Sequence, residues 1–199
     1  MAFNINDFKA RGLVFGGARP SLFQVDLVPP LQVLEPAASE KFTFTCNATN
    51  VPPANIGVVS VPYFGRKIKL AGDRDFGDWN VTVMNDEDFL VRNMFEKWSN
   101  VMNTLASNIK LAPANSYKSN DAVVTQFSKD GAVIRQYSFV GLFPIDVSAM
   151  ELSWDTTNTI QTFNVTFAYD YWVPYRTAAA PASPIATGQP GSGAGVAPE

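Results

Sequence analysis

Histidine is absent from all 199 residues. That removes the commonest general base and the commonest nitrogen ligand of transition metals, so many enzyme classes fall away. Cysteine occurs once, at Cys46, so no intramolecular disulfide can form, and no stretch approaches the eighteen or so consecutive apolar residues of a bilayer span. The start, MAFNINDFKARG, lacks the apolar run of a secretory signal, and a reduced, intracellular setting is expected. Positive charge is also scarce. Fifteen Lys and Arg against eighteen Asp and Glu give a formal charge of -3 and a pI near 5.0, a balance opposed to tight nucleic-acid binding, which rests on cations neutralising phosphates. No repeat of twenty to fifty residues is visible.

What is present is alternation. In KFTFTCNATN, Phe42, Phe44 and Cys46 fall on one side and Thr43, Thr45 and Asn47 on the other, which predicts a half-buried strand. QTFNVTFAYDYW extends the pattern, with Phe163, Val165, Phe167, Tyr169 and Tyr171 opposite Thr162, Asn164, Thr166 and Asp170. The runs VVTQFS and VIRQYSFVGLF flank Lys129-Asp130-Gly131, whose glycine suits a hairpin turn. SLFQVDLV, GVVSVPYFGRKIKL (interrupted by Pro62 and Gly65) and WNVTVMN are further strands. One amphipathic helix is predicted in DEDFLVRNMFEKWSNVMNTLA, with Leu90, Val91, Met94, Phe95, Trp98, Met102 and Leu105 on one face. Asn85 would cap it, and Asp86, Glu87 and Asp88 would oppose its dipole. VPPLQVLEPAASE reads as a long loop. The Ala/Pro/Gly-rich end reads as a flexible tail, which gives a domain of residues 1–175 and a tail of 176–199.

The chemistry on offer is thin. Asp73, Asp75 and Asp78 could in principle hold a divalent cation. However, DRDFGDWNVTVM has its glycine one place early for a calcium loop and Met84 where the bidentate glutamate belongs. Asp86, Glu87 and Asp88 have no nucleophile or base beside them, and helix capping explains them better. Neither a catalytic residue, a cofactor site nor a metal site is expected. Asn47-Ala-Thr49, Asn80-Val-Thr82 and Asn164-Val-Thr166 match the glycosylation pattern, but each belongs to an alternating strand whose polar face Asn and Thr share. Cys46 is expected to be a small core residue. Trp79, Trp98, Trp154 and Trp172 are expected to anchor the core. Arg66, Lys67 and Lys69 point more to an interaction surface for carboxylates than to a phosphate site.

Taken in order, ARPSLFQVDL, FTFTCNAT, AGDRDFGDWNVTVMND, the helix after it and ELSWDTTNTIQTFNVTF resemble the tail tube proteins of contractile-tailed bacteriophages. The resemblance covers about residues 18–172. It implies two packed antiparallel sheets with one flanking helix. It further implies six copies closing into a ring around a central β-barrel, and rings stacked into a tube inside a sheath, between baseplate and tail terminator. Such a tube belongs to the virion tail, is assembled in the host cytoplasm and conducts DNA. The nearest alternative is the tube of a type VI secretion or related contractile injection system. In that family the segment equivalent to 51–78 contacts neighbouring subunits, which would place Arg66, Lys67, Lys69, Asp73, Asp75 and Asp78 at contacts between rings or subunits. If polar strand faces line the bore, Thr43, Thr45, Asn47, Gln126, Ser128, Gln136 and Ser138 would do so.

Overall fold

The computed structural model describes residues 5, 8–110, 112–113 and 116–175. The expected tail, 176–199, lies outside them. After a single turn at Phe8–Gly12, the chain forms β1 (Phe23–Val28), α1 (Pro36–Thr45), β2 (Cys46–Thr49), β3 (Ala54–Tyr63) and β4 (Arg66–Phe76). There follow β5 (Trp79–Met84), α2 (Leu90–Met102), β6 (Asp121–Phe127), β7 (Val133–Val140), β8 (Phe143–Val147), β9 (Thr162–Ala168) and β10 (Tyr171–Tyr175). One antiparallel sheet, sheet A, has the order β1-β6-β7-β10, and a second, sheet B, has the order β2-β5-β9-β8. β3 and β4 pair only with each other.

The mainly β architecture with two antiparallel sheets is as expected, but among the described residues two α-helices flank them, not one. KFTFTCNATN is no single strand: Lys41 to Thr45 close α1, and only Cys46–Thr49 are extended. Pro36 supplies the preset φ that suits a first helical position. Ala38 and Phe42, four apart, then share the buried side while Phe44 turns outward, 76% exposed. The Thr43 hydroxyl donates to Ser39 O and that of Thr45 to Lys41 O, both helical back-bonds. Four alternating residues are too few to separate period 2 from a helix whose apolar positions lie at i and i+4.

Alternation also ran two strands into one, twice. VIRQYSFVGLF breaks at Gly141, where φ is +71°, so that β7 belongs to sheet A and β8 to sheet B. QTFNVTFAYDYW breaks at Asp170, passing from β9 in sheet B to β10 in sheet A. The two crossings touch. Phe143 pairs with Ala168 and Tyr171 with Val140, Asp170 N donates to Val140 O at 2.9 Å, and Lys118 Nζ holds Asp170 at 2.9 Å. A Cβ on residue 141 would lie 2.1 Å from Asp170 Oδ2, so close approach and left-handed backbone together require glycine there. The expected turn at Lys129-Asp130-Gly131 is present, with Gly131 at φ +80°.

The inward faces of both sheets and one side of each helix meet in a single core. Trp79 of sheet B stacks on Phe139 of sheet A at 4.3 Å and leans on Phe167 at 5.2 Å. From α2, Phe95 and Trp98 reach Phe167, and from α1 Phe42 meets Phe95 edge-on at 5.7 Å. The helix predicted from periodicity is present with Val91, Met94, Phe95 and Trp98 buried, but it stops at Met102 and leaves Leu105 outside and exposed. Phe89, at φ +53°, occupies its N-cap position. Asn85 does not cap; its amide donates to Gln161 Oε1 at 2.8 Å. Cys46 is half-buried against the core, and burial pushes its thiol up to about 12.

At the start of α2, Asp88 Oδ1 accepts Leu90 N, and Lys41 of α1 bridges Asp86 and Asp88. Bonding to Lys41 holds both carboxyls below their ordinary value of 3.8 and raises Lys41 above 10.5. Groups with depressed pKa stabilise the fold above the unfolded value and lose that contribution as pH falls through the folded one. The raised lysine contributes below its unfolded value and loses that only in strong alkali. Lys41→Met is therefore expected to flatten the fall in stability as pH drops through and below 3.8 in urea titrations, with little change in slope near neutrality. An unchanged acid slope would show the bridge to be inert.

Candidate assembly surfaces

The segment expected to be a contact loop is a long two-stranded ribbon. β3 and β4 pair from Ala54↔Phe76 to Tyr63↔Arg66, with one irregularity between Ile56 and Val58. Phe64 and Gly65 turn the corner at φ +42° and +81°. Positive φ at both central residues is the two-residue hairpin geometry that matches strand twist. Pro62 and Gly65, expected as interruptions, sit at and beside this turn. Apolar side chains stand out on both faces: Ile56, Val58, Val59, Val61, Ile68 and Leu70 are half or more exposed or close to it, and Phe64 at the tip is 92% exposed.

The ribbon's base is mounted firmly on the body. Gly77 N donates to Pro53 O at 3.2 Å, and the Tyr169 hydroxyl donates to Gly77 O at 2.7 Å. Burial, with Asp78 and Asp75 adding to it, pushes that phenol up to about 12. Phe76 meets Tyr169 and Trp172 edge-on at 6.0 and 6.2 Å. Arg66, Lys67 and Lys69 occupy the tip half of β4. Asp73 and Asp75 lie in the base half, and Asp78 just beyond it. None of these six forms an ion pair among the described residues, and no three metal-ligating side chains converge there.

The candidate bore residues are scattered. Asn47 is exposed in an irregularity of β2, whereas Thr43 and Thr45 are on α1, so the alternation argument that included them falls with the strand. Gln136 and Ser138 pair with Thr125 and Val123, opposite in face to the core residues Val124 and Phe139, so they face outward from sheet A. Gln126 pairs with Arg135 and shares the face of Ala122 and Val124. A register irregularity separates it from Phe127, and Ser128 belongs to the turn. Because the inward faces of the sheets meet in one core, the outward face of sheet A, with Gln136 and Ser138, looks away from the outward face of sheet B.

Sequence reasoning passed over a more regular surface, the outward face of sheet B. Thr82 Oγ1 donates to Asn164 Oδ1 at 2.7 Å and Thr166 Oγ1 to Asn80 Oδ1 at 2.8 Å, a cross-strand ladder of neutral groups. The strands of sheet B contain no Lys or Arg, and Asp146 is their one acid. The signal was the repeated Asn-Val-Thr, which the sequence places on the polar faces of alternating strands without saying that the two strands are neighbours. Trp154 also departs from expectation. Trp79 and Trp98 are fully buried and Trp172 partly so, but Trp154 is 101% exposed in the loop between β8 and β9.

The family described as phage tail tube protein matches residues 18–175. The tail tube protein gp19 of Enterobacteria phage T4 is 39% identical over 156 residues, covering 78% of this chain and 90% of gp19. The tail tube protein of Serratia phage KSP90 is 26% identical over 121 residues, covering 61% and 68%. A chain in the cryo-EM structure of the anti-feeding prophage baseplate has a TM-score of 0.57 at 12% identity, covering 81% of this chain and 97% of that one. A chain in the sheath/tube terminator of the PVC extracellular contractile injection system gives 0.57 at 12%, covering 80% and 96%. At such identities the likeness is one of fold.

Proposed function

Because the chain belongs to the phage tail tube protein family, we propose that its domain up to about residue 175 closes into six-membered rings. The rings stack inside a contractile sheath, between baseplate and tail terminator, as a non-enzymatic conduit for phage DNA in the virion tail, assembled in the host cytoplasm. The observation that carries this is the β3–β4 ribbon. It projects from a well-packed body and exposes apolar side chains on both faces, although a lone two-stranded hairpin is marginal in water. Its burial requires another molecule, and in a polymer of identical subunits that molecule is a neighbouring copy. Arg66, Lys67, Lys69, Asp73, Asp75 and Asp78 then lie in contacts between copies.

Sheet B is the better wall for the bore. Its four strands alternate in direction, so β8 of one copy can run antiparallel to β2 of the next all around a ring, and no edge is left unpaired. Twenty-four strands at about 4.8 Å spacing and roughly 40° tilt give a backbone radius of about 24 Å. The wall would carry Asn47, Asn80, Thr82, Asn164 and Thr166, which release no condensed counterions from passing DNA and so do not hold it. Gln136 and Ser138 would face away from the bore. Electron microscopy of the purified protein, alone and seeded with baseplates, is expected to show rings or hollow tubes. A strictly monomeric species under both conditions would refute the proposal.

A further inference from the structure

Another surface that exposes large apolar side chains among the described residues is the loop of residues 148–161. Its roots are fixed: Ser148 N donates to Asn164 O at 2.8 Å, Asn85 N to Gln161 O at 2.8 Å, and Arg92 Nη1 to Ser148 O at 3.1 Å. Between the roots it borders an open hollow of about 780 Å³. Leu152, Trp154 and Ile160 stand there almost wholly in solvent. Three large apolar side chains exposed around one hollow with polar groups between them mark a candidate interaction site. Glu151 and Asp155 are its charged residues, and it has no Lys or Arg.

Its position is opposite to that of the ribbon. In sheet B, β5 and β9 pair from Trp79↔Phe167 to Met84↔Thr162. The ribbon enters the sheet at the Trp79 end, and the loop leaves it at the Thr162 end. Ten ribbon residues span about 33 Å, against about 20 Å for a six-residue strand of the sheet. A ribbon that continued the line of the strands would reach beyond its own copy and meet the loop end of the next. The contacting chemistry is complementary. Tyr63 and Phe64, themselves edge-on at 4.7 Å, are followed at once by Arg66, Lys67 and Lys69, which would face Leu152, Trp154 and Ile160 with Glu151 and Asp155.

We infer that the 148–161 loop is the socket that receives the tip half of the β3–β4 ribbon, residues 63–69, from the next copy of this chain. The inference rests on the proposal that the ribbon contacts a neighbouring copy, and it names the surface contacted. Knob and socket are different patches at opposite ends, so the contact is heterologous and propagates without self-closure along the strand direction.

The test is a cross-link in assembled protein. With Cys46→Ala as background, Phe64→Cys and Trp154→Cys together are expected, on mild oxidation of the polymer, to give a ladder of dimers, trimers and longer species. Either cysteine alone should give no ladder. In a second arm, Glu151→Lys with Asp155→Lys should slow elongation about tenfold at low salt, and adding Lys67→Glu with Lys69→Glu should restore most of it. Circular dichroism of each variant confirms the fold. Polymer without the ladder and without charge rescue overturns the socket assignment. If ribbon variants also leave elongation unchanged, the contact proposal beneath it fails as well.

Discussion

Trp79→Ala is expected to lower the stability of the unassembled subunit by about 4 kcal/mol, near the upper end for removing a large core aromatic. The indole has no solvent exposure. It joins the two sheets through its stack on Phe139 and braces Phe167, the residue on which α2 packs. Its Nε1–H also donates to Thr49 Oγ1 at 2.8 Å, so truncation opens a cavity and takes away the donor that the Thr49 hydroxyl accepts. Trp154→Ala should fall within about 0.5 kcal/mol of the parent, as a surface change should. Urea unfolding of both variants measures the contrast. A loss below about 1.5 kcal/mol at Trp79 would mean that the sheets are held together elsewhere.

Cutting the ribbon short should have the opposite effect, leaving the fold and removing assembly. Ile56 pairs with Arg74, so replacing residues 57–73 by Asn-Gly closes a two-residue turn of the favoured type on an existing pair. The base anchors at Phe76, Gly77 and Tyr169 remain. The shortened chain is expected to unfold cooperatively, with a midpoint close to that of the parent, and to form no tubes by electron microscopy or light scattering. Tubes of ordinary length from this variant would show that the ribbon plays no part in joining copies.

Much of this was legible in the residues. Period 2 located the strands, Lys129-Asp130-Gly131 located a turn, and the 3.6-residue pattern located α2, because each is a local rule and the segments were long enough to obey it. Alternation states which side of a strand is apolar but not which sheet the strand joins, so the crossings at Gly141 and Asp170 were invisible and the bore candidates were drawn from more than one element, Thr43 and Thr45 from α1 and Gln136 and Ser138 from sheet A. α1 was hidden by Phe-Thr-Phe-Thr, where proline at the helix start outweighs a four-residue pattern. Trp154 was misplaced because a tryptophan in a monomer is usually core, and the sequence does not say that its loop, with Leu152 and Ile160, stands away from the sheets.

The paired crossings also determine how the subunit responds to force. Both lie at one corner and are clamped by Lys118 on Asp170, so sheets A and B are bound like the covers of a book along one spine. Sliding one cover past the other would strain two continuous backbones side by side, where covalent bonds bear the load. Opening the covers strains the side-chain packing between them and the two longer connections that cross from sheet to sheet through α1 and α2. The subunit is thus stiffest in shear at this spine, while splaying is resisted by packing and by the longer, more compliant connections that run through the two helices.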